Sequence, residues 1–273
     1  MVLKTWLFLI FVLAQNVFSI KLSTTSTERQ LPLLLSPQPL NISPKPVNIS
    51  PNEVPKNCLE VQNSGQTSSG IYKIKPKTSS KVFLVYCDLK TKDGGWTYLL
   101  NRLDGTENFN LAWEDYKWGF GNLNGEFWLG LEHLHELTGD GGYELLIELE
   151  DWVKVKVYAR YSLFAIGSEL EGYSLKVLGG YSGDAGDSLS YSAGTKFSTK
   201  DKDQDHSPNN CADIHGGAWW YRNCMHALLT GNYMKESVPP DQEHKIMYWE
   251  SFRGTRYSLK IARMMVKPIK VDQ

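Results

Sequence analysis

The segment from Phe197 to Cys224, FSTKDKDQDHSPNNCADIHGGAWWYRNC, gathers the residues best able to do chemistry. Carboxylates alternate at Asp201, Asp203 and Asp205, and two cysteines, Cys211 and Cys224, stand close enough to bridge. Between the cysteines lie Gly216, Gly217, Trp219 and Trp220, with neither helix nor strand periodicity. A loop this rich in Asp, Asn and Gly does not hold still by itself. A hard cation, which takes oxygen ligands, together with a disulfide would pin it. A pinned aromatic loop is a binding device. A solvated acidic loop is the alternative reading of the same three acids, and turn chemistry accounts for a second acidic pair at Asp184 and Asp187.

Catalytic arrangements do not emerge from the rest of the chain. There is no His-Glu-x-x-His, and around Ser182 a nucleophile-elbow pattern fails because Asp184 occupies the later glycine position. Gly119-Phe-Gly121 opens like a dinucleotide loop, but Asn124 stands where the third glycine belongs. The six histidines are dispersed. The chain therefore reads as a binding protein and not an enzyme. A net charge of -1 with scattered Lys and Arg gives no basic field for nucleic acid. Zinc is disfavoured because no Cys-x2-Cys pair occurs.

The elements that must position this loop begin well inside the chain. Residues 1–19 read as a secretory signal: Lys4, then the apolar run Trp6 to Ala14, then small residues up to Ser19. That run is shorter than the roughly 20 residues a membrane span needs. Residues 20–56 form a Ser/Thr/Pro-rich linker in which Pro39-Leu-Asn-Ile-Ser-Pro-Lys45 is echoed by Pro46-Val-Asn-Ile-Ser-Pro-Asn52. Proline in each unit rules out a helix and favours an extended, disordered chain. Asn41 and Asn48 sit in glycan acceptor triplets, each followed by proline. A folded domain follows over 57–268, with a short tail at 269–273. All four cysteines and eight of the nine tryptophans lie in the domain.

Four cysteines allow three pairings. The local one, Cys58 with Cys87 and Cys211 with Cys224, is the simplest for a secreted chain, each bridge contributing about 3 kcal/mol. Strands are expected over Lys81–Asp88, Trp96–Arg102, Tyr143–Glu150, Val153–Tyr161, Tyr173–Leu178 and Tyr257–Val266. Val153, Val155, Val157 and Ala159 alternate with polar residues, giving one buried face. A short connection at Asp151-Trp152 predicts a hairpin. Leu131, Leu134 and Leu137 predict a short helix. The set is α+β with a mainly antiparallel sheet.

From Asn57 to about Pro268 the chain resembles the fibrinogen C-terminal domain, the fold shared by fibrinogen chain ends, ficolins, tachylectins, tenascins and angiopoietins. The matching segments run in order: Asn57-Cys58, Tyr86-Cys87-Asp88, Asp93-Gly-Gly-Trp-Thr97, Arg102-Leu-Asp-Gly105, Gly125-Glu-Phe-Trp-Leu-Gly130 and His135-Glu-Leu-Thr138. Tyr181 to Leu189, Phe197 to Asp201, Asn210-Cys-Ala212, Gly217-Ala-Trp-Trp220 and Tyr257-Ser-Leu-Lys260 complete them. The cysteine spacings match the family's two bridges.

The resemblance implies a small N-terminal lobe, a central mainly antiparallel sheet lobe and a loop-rich, calcium-binding C-terminal lobe. It implies a calcium ion held by the carboxylates of Asp203 and Asp205 and the main-chain carbonyls of Ser207 and Asn209. An EF-hand does not fit, since His206 and Ala212 stand where that loop needs Gly and Glu. The resemblance also implies a ligand pocket for acetylated glycans around a non-proline cis peptide at Asn223-Cys224. The family usually carries His after this cysteine; here Met225 stands there and His226 follows. A thioether is only a weak acceptor, so the exchange alters the pocket. Tyr233 and Tyr248 are candidate aromatic walls. His215 and His244 stand where fibrin-type peptide pockets carry acids, which disfavours fibrin knobs. The expected function is a secreted, extracellular, calcium-binding recognition protein of lectin type in innate defence. An angiopoietin-like ligand of a cell-surface receptor, or a matrix component, is the alternative. Oligomerisation is open, but no collagen-like or coiled-coil stalk supplies avidity.

Overall fold

The computed structural model describes residues 53–269. The expected leader, most of the linker, Asn41, Asn48 and nearly all of the short tail lie outside the described residues. In chain order the first elements are α1 (Cys58–Asn63), β1 (Gly70–Ile74), β2 (Phe83–Asp88), β3 (Trp96–Arg102), α2 (Trp113–Trp118), β4 (Phe120–Gly121) and β5 (Phe127–Trp128). Then come α3 (Leu131–Thr138), β6 (Tyr143–Glu150), β7 (Lys156–Ala165), β8 (Val177–Gly183), α4 (Cys211–His215) and β9 (Ala227–Leu228). The last elements are β10 (Glu236–Ser237), β11 (Tyr248–Trp249), α5 (Glu250–Arg253), β12 (Tyr257–Ser258) and β13 (Ile261–Pro268).

A nine-stranded sheet in the order β1-β2-β3-β13-β6-β7-β8, with β4 and β5 attached at β3, forms the centre. All its pairs are antiparallel. Strand β13 inserts between β3 and β6, so the last strand locks the middle of the chain. Leu145, Ile147 and Leu149 of β6 and Met264 and Val266 of β13 are buried. The helix expected from Leu131 is present, and Leu131, Leu134 and Leu137 all face inward.

Three expected strands are corrected. The β6–β7 connection is longer than Asp151-Trp152, and Val153 and Val155 are 70% and 41% exposed, not part of a buried face. The buried Asp151 carboxylate accepts the N–H groups of both Val153 (2.9 Å) and Val155 (2.8 Å). That side-chain bonding builds a turn where alternation predicts strand. Likewise Tyr257–Val266 splits into β12 and β13, and the strand expected from Tyr173 begins only at Val177.

One buried ion pair ties the sheet to the C-terminal loops. Arg102 is 1% exposed, pairs with Glu126 at 3.5 Å, and donates to the carbonyls of Leu229 and Gly231 at 3.0 Å. Its guanidinium also lies 3.9 Å from the Phe109 ring centre. Glu126 in turn accepts from the N–H groups of Leu103, Asp104 and Glu107. A buried pair persists when added hydrogen bonds offset the loss of water, and these five bonds do so.

Candidate functional site

The acidic loop is positioned from both sides. Lys200 donates to the Asn110 carbonyl at 2.8 Å, and the Lys202 ammonium sits 3.6 Å from the Trp113 ring centre. Asp201 faces the same way, accepting from Trp113 N–H (2.9 Å) and the Thr199 hydroxyl (2.7 Å). These three residues therefore fasten the loop to the start of α2. Asp203 and Asp205 are left without a Lys or Arg partner among the described residues.

Asp205 is the hinge of the site. One carboxylate oxygen accepts from Ser207 N–H at 2.7 Å and the other from Cys211 N–H at 2.9 Å. Asp203 accepts from Asp205 N–H at 3.2 Å. Burial pushes the Asp205 carboxyl up, and the neighbouring Asp203 adds to the rise against those two backbone donors. Two crowded carboxylates with no cation from the chain itself fit a bound cation. The side chains that Asp203 and Asp205 bring to the loop offer oxygens alone, which is the donor chemistry of a hard cation such as calcium. Among the described residues no three His, Cys, Asp or Glu side chains gather as a metal-binding group.

Helix α4 starts at the end of that loop. Asn210 caps it, accepting from Ala212 and Asp213 N–H, and Gly216 ends it in the left-handed region at φ 73°. Both bridges pair locally, Cys58 with Cys87 and Cys211 with Cys224. The Asn223-Cys224 peptide is cis. Trp219 and Trp220 are fully buried. Trp220 donates its indole N–H to the Tyr173 carbonyl (2.8 Å) and packs on Phe197 and Trp128. The aromatic part of the loop is therefore floor and core, not a binding surface.

Four of the residues singled out from sequence come together. Tyr248 is buried, and its hydroxyl lies 3.2 Å from the Met225 carbonyl and 3.1 Å from Nδ1 of His244. The His244 ring is 6.0 Å from that of His215, the last residue of α4. His215 Nδ1 is buried without a hydrogen-bond partner. Burial, with His244 and Lys245 nearby, lowers its imidazole to about 4, so it is neutral at physiological pH. Met225 is 5% exposed and packs into the core. His226 turns the other way: it is exposed and stacks on Tyr191 at 4.3 Å. Asn223 is exposed at the rim, its carbonyl accepting from the Tyr191 hydroxyl. Tyr233 does not join the group. Its hydroxyl lies against the carbonyls of Leu103 (3.0 Å) and Lys260 (2.9 Å), and its ring meets Trp152. Sequence reasoning misses Tyr191, whose place beside the second cysteine carries no local signal.

Comparison with known proteins decides the family. The family described as fibrinogen beta and gamma chains, C-terminal globular domain, matches residues 54–269. The chain belongs to that family. Human fibrinogen C domain-containing protein 1 is 44% identical over 221 residues, covering 79% of this chain and 47% of the relative. Mouse angiopoietin-related protein 1 is 41% identical over 214 residues, covering 78% and 44%. The chain thus spans about half the length of these curated relatives. Among solved structures, the fibrinogen-like globe domain of human ANGPTL2 superposes with TM-score 0.77 at 42% identity, covering 79% of this chain and 100% of that domain. A lamprey fibrin D-dimer complexed with the peptide Gly-His-Arg-Pro-amide gives 0.74 at 33%, covering 83% and 77%. The α+β fibrinogen-like globe expected from sequence is the fold observed. Members of the fibrinogen C-terminal family are binding domains and not enzymes. Among the described residues no helix is long and apolar enough to cross a membrane.

Proposed function

We propose that this fibrinogen C-terminal domain is an extracellular, calcium-dependent recognition domain that binds acetylated glycans in innate defence. One observation carries the reading: a continuous chain of contacts joins the acidic loop to a cluster of polar side chains. Asp205 holds Cys211 N–H, Cys211 bonds Cys224, and the carbonyl of the next residue, Met225, meets the Tyr248 hydroxyl. Tyr248 meets His244, and His244 faces His215. A cation on Asp203, Asp205 and the carbonyls of Ser207 and Asn209 would neutralise the loop and fix the start of α4, and with it His215. The imidazoles and the Tyr248 hydroxyl then supply donors and acceptors for an acetyl amide.

The test is retention on acetylated resin with and without chelator. Retention that needs calcium and is released by free N-acetylglucosamine supports the reading; passage through the column in calcium overturns it. The burial of Met225 favours a second reading, since the imidazole usual at that place is missing and a protein surface can be met without it. In that case the domain is a receptor ligand of angiopoietin type, and crosslinking on cells recovers a surface receptor while the resin retains nothing.

A further inference from the structure

We propose that Tyr191 and His226 form a stacking platform for the second sugar of an acetylated oligosaccharide, an inference that rests on the glycan-binding reading above. The His226 imidazole and the Tyr191 ring lie 4.3 Å apart, centre to centre, and 14° from parallel. His226 is exposed and Tyr191 half-buried, so the tyrosine backs an imidazole that solvent still reaches. Hydrogen bonds fix the backbone beneath both rings. The Tyr191 hydroxyl donates to the Asn223 carbonyl at 3.2 Å, and Glu250 N–H donates to the His226 carbonyl at 3.0 Å. Arg222 clamps the other strand of chain, its Nε donating to the Tyr191 carbonyl and its Nη2 to the Ala193 carbonyl, each at 2.8 Å. Among the described residues the His226 imidazole makes no hydrogen bond or ion pair, so its nitrogens are uncommitted.

Position along the chain ties this platform to the polar cluster. The Met225 carbonyl, which accepts from the Tyr248 hydroxyl, belongs to the peptide unit that carries His226. The two groups differ in kind. His215, His244 and Tyr248 offer hydrogen-bonding atoms, whereas His226 over Tyr191 offers a ring face. An aromatic face is electron-rich and suits the C–H face of a pyranose, while the sugar hydroxyls stay in water or meet the imidazole nitrogens. One acetylated sugar engages the cluster alone. An oligomer engages both groups, because the glycosidic link holds its second unit near the platform at high effective concentration. The ligand class is therefore an oligosaccharide of N-acetylated units, preferred over the isolated monosaccharide. The competing account of the same stack is structural: it only fastens the Tyr191 segment to the chain beside the second cysteine.

The experiment titrates the full chain, in calcium, with N-acetylglucosamine and with its β-1,4-linked trimer, and reads both affinities by calorimetry. Counted per acetyl group, the wild type is expected to bind the trimer about fivefold more tightly than the monosaccharide, the gain that one stacked ring supplies. His226→Ala is expected to remove that gain, so that the two sugars bind alike per acetyl group. His226→Phe keeps a ring face without the nitrogens and is expected to restore the gain. Melting temperatures of the three proteins are measured alongside. The platform is overturned if the wild type shows no gain for the trimer, if the gain persists in His226→Ala, or if His226→Phe recovers the melting temperature without the gain, which is the structural outcome. Binding of the monosaccharide with no gain for the trimer sinks the platform alone. Failure of the wild type to bind either sugar sinks the glycan reading and the platform with it.

Discussion

His215 makes stability depend on pH between the ordinary imidazole range and acid. In the unfolded chain its imidazole takes up a proton near the ordinary value of 6.5; in the folded chain it does so only near 4. Between those values the unfolded state binds more protons, so stability falls as pH falls and is fully present above 6.5. A difference of that size, discounted because the imidazole is only partly buried, amounts to roughly 2 kcal/mol between pH 7 and pH 4. Burial is the main cause, with His244 and Lys245 adding repulsion, so protonation is opposed by the site itself. The assay is urea unfolding in chelator at a series of pH values, for wild type and for His215→Gln, which keeps a polar side chain that does not titrate. The wild type is expected to lose roughly 2 kcal/mol more than the variant on going from about pH 7 to about pH 4. Parallel stability curves would refute the reasoning. So would an imidazole resonance of His215 that titrates at the ordinary value in the folded protein, whatever the variant does.

Other perturbations probe the remaining links. Asp203→Ala with Asp205→Ala is expected to abolish the rise in melting temperature on adding calcium, and an unchanged rise would remove these residues from the site. Arg102→Ala leaves Glu126 buried and uncompensated, which costs about 3–5 kcal/mol, whereas replacing both partners by Met and Leu is expected to cost far less. Denaturant titration of the two variants separates those outcomes. Cys211→Ser opens the bridge between residues 13 apart. It is expected to lower stability by about 3 kcal/mol through loop-closure entropy and to weaken calcium binding, because Cys211 N–H is held by Asp205.

Legibility in the sequence tracks how local the determining physics is. The leucine spacing of α3 and the apolar content of β6 specify their elements because neighbours three or four apart, or two apart, decide burial. The β6–β7 turn defeats the same reasoning: Val153 and Val155 keep the strand alternation, while the deciding bonds come from one side chain, Asp151. Trp219 and Trp220 mislead in a different way. They lack periodicity, yet partners far away in sequence bury them, among them Trp128 and Tyr173 around Trp220. The Arg102–Glu126 pair sits in segments that match the family pattern, but nothing in either segment says that the two side chains meet.

The pocket shows what a one-place shift does when the backbone stays fixed. The Tyr248 hydroxyl holds the Met225 carbonyl, and Glu250 N–H holds the His226 carbonyl at 3.0 Å. The path of the chain through these two residues is therefore set by β11 and the residue that follows it. Along this path the two side chains leave on opposite sides. Met225 drops into the core, and His226 emerges to stack on Tyr191. The imidazole at position 226 is held outside, stacked on Tyr191, while the backbone that carries it is fixed by Glu250 N–H. The polar groups that remain, His215, His244 and the Tyr248 hydroxyl, come instead from the end of α4, the segment leading into β11, and β11 itself. Exchanging Met225→His is then the informative change. If the cluster lacks only that imidazole, the variant gains affinity for acetylated resin over the wild type, with its melting temperature close to unchanged. If Met225 is foremost a core residue, the variant melts lower and gains nothing, because a buried imidazole without a partner is costly. The first outcome assigns ligand binding to the cluster of His215, His244 and Tyr248; the second moves recognition away from it, to the loop surface that a receptor would meet.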